Sequence, residues 1–232
     1  MRHKLGYRTL ITGANRGLGL GLTRVYLEDG WQVVAAVRQS SAELEALQTG
    51  GLDIRQLDLC NDEELAALAR SLDSRPIDVL INNAGRQATP GRQGLGDFDR
   101  SAWHAVFDIN LFTPMRMAEL FLENLERTGR GRIVTISSDL GSMELNSYGG
   151  LYAYRASKAA VNAITRSLAI DLAGRGIIAV AVNPGWVLTD MGGPDAVLEV
   201  ETSVRGMQKV IDGLRPVDSG KFMSWDGREL PW

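Results

Sequence analysis

Short β-branched apolar runs recur along the chain at intervals too long for hairpins, and this spacing constrains the fold more than any other feature. The runs are "RTLITG", "QVVAAV", "LDIRQLDL", "IDVLINNAG", "GRIVTISS" and "IIAVAVNPG". Several are apolar almost throughout, as suits strands buried on both faces. Between them lie segments with helical spacing: Leu18 to Leu27, Ala42 to Leu47, Glu63 to Leu72, Trp103 to Leu125 and Tyr154 to Leu172. Asn61 with Glu64, and Ser40 with Glu43, have capping-box spacing at the start of two of these, and Gly174 and Gly176 end the longest. Such alternation predicts an α/β fold of Rossmann type, a doubly wound parallel sheet with helices on both faces.

Sheets of this kind bind ligands beyond the carboxyl ends of their strands. Polar and glycine residues should then collect just after each apolar run, and they do: Thr12-Gly13, Arg38, Asp58, Asn82-Asn83-Ala84-Gly85, Ser137-Ser138 and Asn183-Pro184-Gly185. No stretch reads as a linker, repeat or low-complexity tract, so residues 1–232 are expected to form a single domain.

"TGANRGLG", residues 12–19, leaves the first strand and enters the first helix. Gly13, Gly17 and Gly19 permit a tight turn and close approach of a pyrophosphate, which helix-terminal N–H groups and the helix dipole favour. Asn15, Arg16 and Leu18 complete the turn. The spacing is not that of a P-loop, since no lysine follows the last glycine. A site for NAD usually carries an acid after the second strand, but here that strand runs into Arg38, and Arg16 sits inside the glycine turn. Two guanidiniums in place of an acid suit a 2′-phosphate, which predicts NADP(H) in preference to NAD(H). The competing reading, two solvated surface arginines, predicts a preference for NADH.

The formal net charge is -3 and the basic residues are scattered, so no face suggests nucleic acid. Cys60 is the only cysteine, which rules out an internal disulfide and a cysteine-built metal site; no metal is expected. The opening "MRHKLGYRTLITGANRG" lacks the apolar core of a signal peptide, and no run approaches the ~18 apolar residues of a membrane span. A soluble, cytoplasmic protein is the expectation. His3 and His104 accompany no G-x-S-x-G elbow and do not suggest a hydrolase.

"YAYRASK", residues 152–158, holds the candidates for proton transfer. Tyr154 and Lys158 are four apart at the start of a helical segment and share a face, whereas Tyr152 pairs with Ala156. A free phenol titrates near pH ~10, so Tyr154 needs help to act at neutral pH. A nearby ammonium and a cationic cofactor ring would lower its pKa.

These residues carry a resemblance. Thr12-Gly-x-x-x-Gly-x-Gly19, Asn82-Asn-Ala-Gly85, Asn110, Ser138, Tyr154-x-x-x-Lys158, and Pro184-Gly185 followed by Thr189, stand in the order and approximate spacing of the short-chain dehydrogenase/reductase family. The resemblance spans essentially the whole chain. It implies that Tyr154 is the general acid or base, Ser138 orients the substrate oxygen, Lys158 holds the nicotinamide ribose, and Asn110 holds a water in a proton relay. It further places Asp58 and Leu59 near the adenine, Asn83, Ala84 and Gly85 along the adenine ribose, and Pro184, Gly185, Val187 and Thr189 near the nicotinamide.

Within the family the chain resembles the C-factor and Sniffer carbonyl-reductase-like branch, through "NSYGGLYAYRASKAAVN", "NPGWVLTDMGGPDAVLEVETSVRGM" and "GKFMSWDGRELPW". That implies an oxidoreductase interconverting a carbonyl and an alcohol on a small aldehyde or ketone, working as a homodimer or homotetramer. A substrate loop and helix would span about 188–210. Trp186, Met191, Leu145 and Tyr152 are candidates for the pocket. A different class stays open: a signalling or regulatory protein that binds NADP(H) with incidental turnover or none.

Overall fold

A computed structural model describes residues 6–47, 50–73, 75–88 and 94–232; His3 lies outside them. The elements run β1 (Arg8–Thr12), α1 (Gly17–Glu28), β2 (Gln32–Val37), α2 (Ala42–Glu45), β3 (Leu52–Gln56), α3 (Asp62–Ser71) and β4 (Val79–Asn82). There follow α4 (Arg100–Phe107), a π-helical stretch (Asp108–Phe112), α5 (Thr113–Leu120), α6 (Leu122–Glu126) and β5 (Arg132–Ile136). The chain ends with α7 (Tyr152–Asp171), β6 (Ile178–Asn183), α8 (Val200–Asp212) and β7 (Phe222–Ser224).

The strands form one seven-stranded sheet in the order β3-β2-β1-β4-β5-β6-β7. Every pairing is parallel, with Ile11 opposite Ala35 on one side and Ile81 on the other. The predicted doubly wound sheet is therefore the observed architecture. Strand order reverses between β1 and β4, which opens a crevice at their carboxyl ends.

Period-2 alternation sends neighbouring side chains of one strand into two separate cores. Ile11, Val79 and Ile81 pack with Leu22, Val25, Val204 and Met207 beneath α1 and α8. Leu10, Leu80 and Ile133 pack with Leu65, Leu68, Met117, Phe121 and Ala169 on the opposite face. Both faces of the central strands are thus covered, which is why their sequences read as unbroken apolar runs. No described helix is long and apolar enough to cross a membrane.

The structure departs from the sequence expectations in several elements. Ser41, not Ser40, caps α2: its hydroxyl accepts from Leu44 N at 3.2 Å and donates to the Asn15 carbonyl at 2.7 Å. At α3, Asn61 caps as expected, accepting from Glu63 N and Glu64 N at 3.0 and 3.3 Å. Glu64 does not close the box on the Asn61 main chain; its carboxylate accepts from Asn61 Nδ2 and Asp58 N instead, stitching the turn after β3.

The expected continuous helix over Trp103 to Leu125 is α4, the π-helical stretch, α5 and α6 in succession. Thr113 Oγ1 lies 3.0 Å from the Asp108 carbonyl, five residues back, and 2.9 Å from that of Leu59. A hydroxyl at this position supports the wider turn and ties it to the segment after β3. The longest helix, α7, ends at Asp171, and a 3-10 turn over Ala173–Arg175 runs on to Gly176, which takes a φ of 69°. α8 and β7 complete the sheet's far side; the first lies in the stretch expected to be a substrate loop and helix.

Candidate active site

Beyond the carboxyl end of β1 the chain turns sharply through the glycines. A Cβ on Gly19 would lie 2.1 Å from the Gly13 carbonyl oxygen and 2.6 Å from Asn83 Nδ2, so only glycine lets α1 start this close to the turn. Arg16, the N-cap of α1, is extended and makes no side-chain capping bond. The first-turn N–H groups of α1 are thus available to an anion, and a close-packed cradle of this kind fits a dinucleotide pyrophosphate. Leu18 packs against the core and the Asn15 carbonyl is held by Ser41, which joins the turn to the start of α2.

The turn is braced from β4. Thr12 Oγ1 accepts from Asn83 N and Ala84 N, both at 3.0 Å. Asn83 Nδ2 donates to the carbonyls of Thr12 and Gly13 at 2.9 and 3.1 Å. The Asn83 amide nitrogen therefore holds the glycine turn in shape, a role that sequence reasoning missed because its partners lie about seventy residues away. Arg38 is exposed directly after β2. Asp58 is exposed after β3, its carboxylate accepting from Cys60 N, while Leu59 is buried beside it.

Arg16 does not stand free. Its guanidinium pairs with Asp190 at 2.5 Å, and both side chains are largely exposed. A Cβ on Gly17 would meet the Thr189 methyl at 3.4 Å, so residues 189–190 lie against the glycine turn. The strap carrying them begins at Pro184, whose carbonyl accepts from Ser203 Oγ of α8 at 2.7 Å. Gly185, at a φ of 82°, fits against Leu198 and Trp225. Val187 pairs in a β-bridge with Leu198, and Thr189 Oγ1 accepts from Gly192 N while donating to the Val187 carbonyl.

The residues expected to carry chemistry converge next to this crevice. Tyr154, Lys158, Asn110 and Ser138 are all buried, while Tyr152 is exposed, which separates the two tyrosines as expected. Ser138 lies near enough to the Tyr154 phenol to lower its pKa, while its hydroxyl donates to Asp139 Oδ1 and accepts from Leu140 N, each at 3.2 Å. Lys158 Nζ lies 5.6 Å from the Tyr154 ring centroid. Ser137 donates to Asn162 Oδ1 at 2.6 Å and serves the packing of α7 on β5. Gly85 brings the segment after β4 over the group: a Cβ there would lie 3.1 Å from Asn110 Oδ1 and 3.7 Å from Lys158 Nζ.

Asn110 sits in the π-helical stretch with its side chain fully engaged. Nδ2 donates to the Arg86 carbonyl and to Ser157 Oγ, each at 2.9 Å, and Oδ1 accepts from Arg86 N at 2.9 Å. Ser157 Oγ in turn donates to the Tyr154 carbonyl at 2.8 Å, linking Asn110 to the first turn of α7. Ser157 gave no signal in the sequence, where a serine inside a helical run is unremarkable.

Burial drives the titration of the pair. It pushes the Tyr154 phenol up to about 12, against a lowering by Ser138 and with a further raising by Asp139. It pushes the Lys158 ammonium down to about 8. The expected depression of the phenol by Lys158 is thus not met by the protein's own groups, because desolvation of the phenolate outweighs the rest and Lys158 Nζ donates to the Ile136 carbonyl at 2.7 Å. Of the pocket candidates, Leu145 and Tyr152 follow β5 and Trp186 and Met191 follow β6; all four are exposed.

Fold and crevice together define a Rossmann-type α/β protein with a glycine turn at its switch point. Residues 8–196 match the family model described as short chain dehydrogenase, and the chain belongs to that family of oxidoreductases. It is similar to the C-signal protein of Myxococcus xanthus, 45% identical over 72% of this chain and 100% of that one. It superposes on the carbonyl reductase Sniffer of D. melanogaster with a TM-score of 0.92 and 32% identity, covering 98% of this chain and 100% of that one. An NADPH-bound carbonyl reductase from chicken fatty liver gives a TM-score of 0.89 at 32% identity over 98% and 99% of the two chains. The likeness to the C-factor and Sniffer branch read from the sequence is the one these proteins display.

Proposed function

We propose that the protein is an NADPH-dependent carbonyl reductase acting on a small aldehyde or ketone. The observation that carries this reading is the burial of Tyr154, Ser138, Lys158 and Asn110 at one carboxyl edge of the sheet, beside the glycine turn. NADPH would supply the hydride. Gly13 to Gly19 would hold its pyrophosphate, Arg16 and Arg38 its 2′-phosphate, Asp58 and Leu59 its adenine, Asn83 to Gly85 the adjoining ribose, and Pro184 to Thr189 its nicotinamide. The NADPH bound to the chicken fatty liver carbonyl reductase supports the choice of cofactor.

Ser138 would direct its hydroxyl at the carbonyl oxygen, and Tyr154 would donate its phenolic proton to that oxygen. A phenol held protonated up to about pH 12 is already the acid that reduction requires. Lys158 would hold the nicotinamide ribose, the Asn110–Ser157 link would keep the Tyr154 main chain in place, and a water held by Asn110 would pass a proton from solvent back to the phenolate. Of the expected span 188–210, the strap before α8 would close over substrate, while α8 stays packed on α1 and the sheet through Val204 and Met207. Exposed Cys60 suits a reducing, cytoplasmic setting. Exposed apolar residues on either side of α4, Phe98 before it and Phe112 in the π-helical stretch after it, support assembly into a homodimer or homotetramer; a monomer mass by light scattering would remove that part of the proposal.

Tyr154→Phe is the deciding variant. Turnover of a carbonyl panel with NADPH should fall at least a thousandfold while NADPH affinity, read from tryptophan fluorescence, stays within a few fold. Undiminished turnover would sink the assignment. The name of the C-signal relative favours the second reading, a signalling protein. Tight NADPH binding with no oxidation across dicarbonyls, quinones and aliphatic aldehydes would move the conclusion there.

A further inference from the structure

Arg155 follows Tyr154 in α7 and carries a buried guanidinium that the proposed reaction does not use. It is 8% exposed, yet it pairs with no carboxylate among the described residues, and Nη2 is left without a hydrogen-bond partner. Nε donates to the Gly149 carbonyl at 3.2 Å and Nη1 to the Leu140 carbonyl at 3.4 Å. The guanidinium carbon stands 4.6 Å from the centroid of the Tyr148 ring. Leu140 and Gly149 are the two ends of the segment that joins Ser138 to Tyr154, so one planar fork holds both ends of that segment.

The backbone between this fork and Tyr154 is unusual. Gly149, Gly150 and Leu151 are all left-handed, with φ of 67°, 66° and 50°, and Leu151 is the non-glycine residue at positive φ among those described. Such a run persists only where its surroundings determine it. Arg155 supplies two of those constraints, through its side chain to Gly149 and through its main-chain N–H to the Leu151 carbonyl at 2.8 Å. On the other side of the segment, a Cβ on Gly141 would lie 2.9 Å from the Lys158 backbone, so the turn after Ser138 is seated directly on α7.

We infer that Arg155 is a positioning residue, which clamps the Leu140–Gly149 segment to α7 and thereby sets the Ser138 hydroxyl against the Tyr154 phenol. Its catalytic consequence rests on the carbonyl-reductase reading; the clamp itself does not. A lysine keeps the charge but has no planar fork to reach two carbonyls at once, so Arg155→Lys separates the clamp from the charge. Arg155→Met removes both.

The test reads amide hydrogen exchange at residues 140–151 and, at saturating NADPH, turnover of an aliphatic dicarbonyl per folded molecule, with folded protein counted by thermal melting. Both variants should raise exchange in the segment at least tenfold and leave the amides of β4 to β6 unchanged. Their kcat should fall about tenfold, with the KM for NADPH within twofold of the parent. Unchanged exchange in Arg155→Lys overturns the clamp. Raised exchange with unchanged kcat overturns the positioning role. A parent protein that turns over no carbonyl refutes the carbonyl-reductase reading, and the positioning role with it; the exchange measurement still decides the clamp. If Arg155→Met does not fold, Arg155→Lys carries the test.

Discussion

Burial moves Tyr154 and Lys158 in opposite directions, and each shift is also a statement about stability. Burial pushes the Lys158 ammonium down to about 8 in the folded chain, against 10.5 for a solvated lysine. Below pH 8 both states hold the proton and the folded state bears the whole cost of burying the ammonium, about 3 kcal/mol by the conversion of shift to energy. Between pH 8 and 10.5 the unfolded chain binds more protons, so stability rises with pH. For Tyr154, raised to about 12 from 10.0, the sign reverses and stability falls between those two values. Lys158→Met should therefore be more stable than the parent at pH 7 by about 2 kcal/mol and lose the rise above pH 8; denaturant titrations at pH 7 and 9.5 check both. A parent whose stability is flat over that range would show that the ammonium is solvated. Pairing Tyr154 with Lys158 was legible from their spacing alone, but the phenol's high pKa was not, because burial is a property of the packed molecule.

At the scale of elements, the N-terminus of α2 shows where local sequence rules stop. "SSAELE" offers two serines in succession, and only Ser40 has a glutamate three residues on. Ser41 caps the helix instead, because its hydroxyl also reaches the Asn15 carbonyl in the glycine turn, twenty-six residues away in sequence. Ser40 Oγ is buried and unpaired. Ser41→Ala should cost about 1 kcal/mol and lower Tm by about 2–4 °C in a chain of this size, and it should weaken NADPH binding by loosening the turn. Ser40→Ala should be neutral or slightly stabilising, since it removes a hydroxyl that has no partner. Thermal melts of the two variants side by side decide the register, and the reverse order would restore the capping box read from sequence. The interrupted helix after Asp99 was hidden for a similar reason: the Thr113 bridge to Leu59 lies outside any helical window.

For the whole molecule, the alternation of strands and helices showed the parallel sheet, and the placement of polar residues after each strand pointed to the sheet edge where Tyr154, Ser138, Lys158 and the glycine turn gather. The last three strands' surroundings were harder to read: β7 is only Phe222–Ser224, and the strap after Pro184 takes its shape from Ser203, Leu198 and Trp225 rather than from its own sequence. That strap brings Asp190 to Arg16, so one of the arginines assigned to the 2′-phosphate already has a carboxylate partner. NADPH would have to displace Asp190, whereas NADH would not. An exposed pair of this kind is worth at most about 1 kcal/mol, so the competition trims the preference for NADPH by less than about tenfold without reversing it. Cofactor at a hundredfold excess over its Kd stabilises the folded chain by about 2.7 kcal/mol, a rise in Tm of about 5–10 °C. At equal concentrations the rise with NADPH should exceed that with NADH, Asp190→Asn should widen the gap, and Arg16→Ala with Arg38→Ala should close it. A gap that Asp190→Asn leaves unchanged would mean that Arg16 serves the strap and Arg38 alone reads the phosphate.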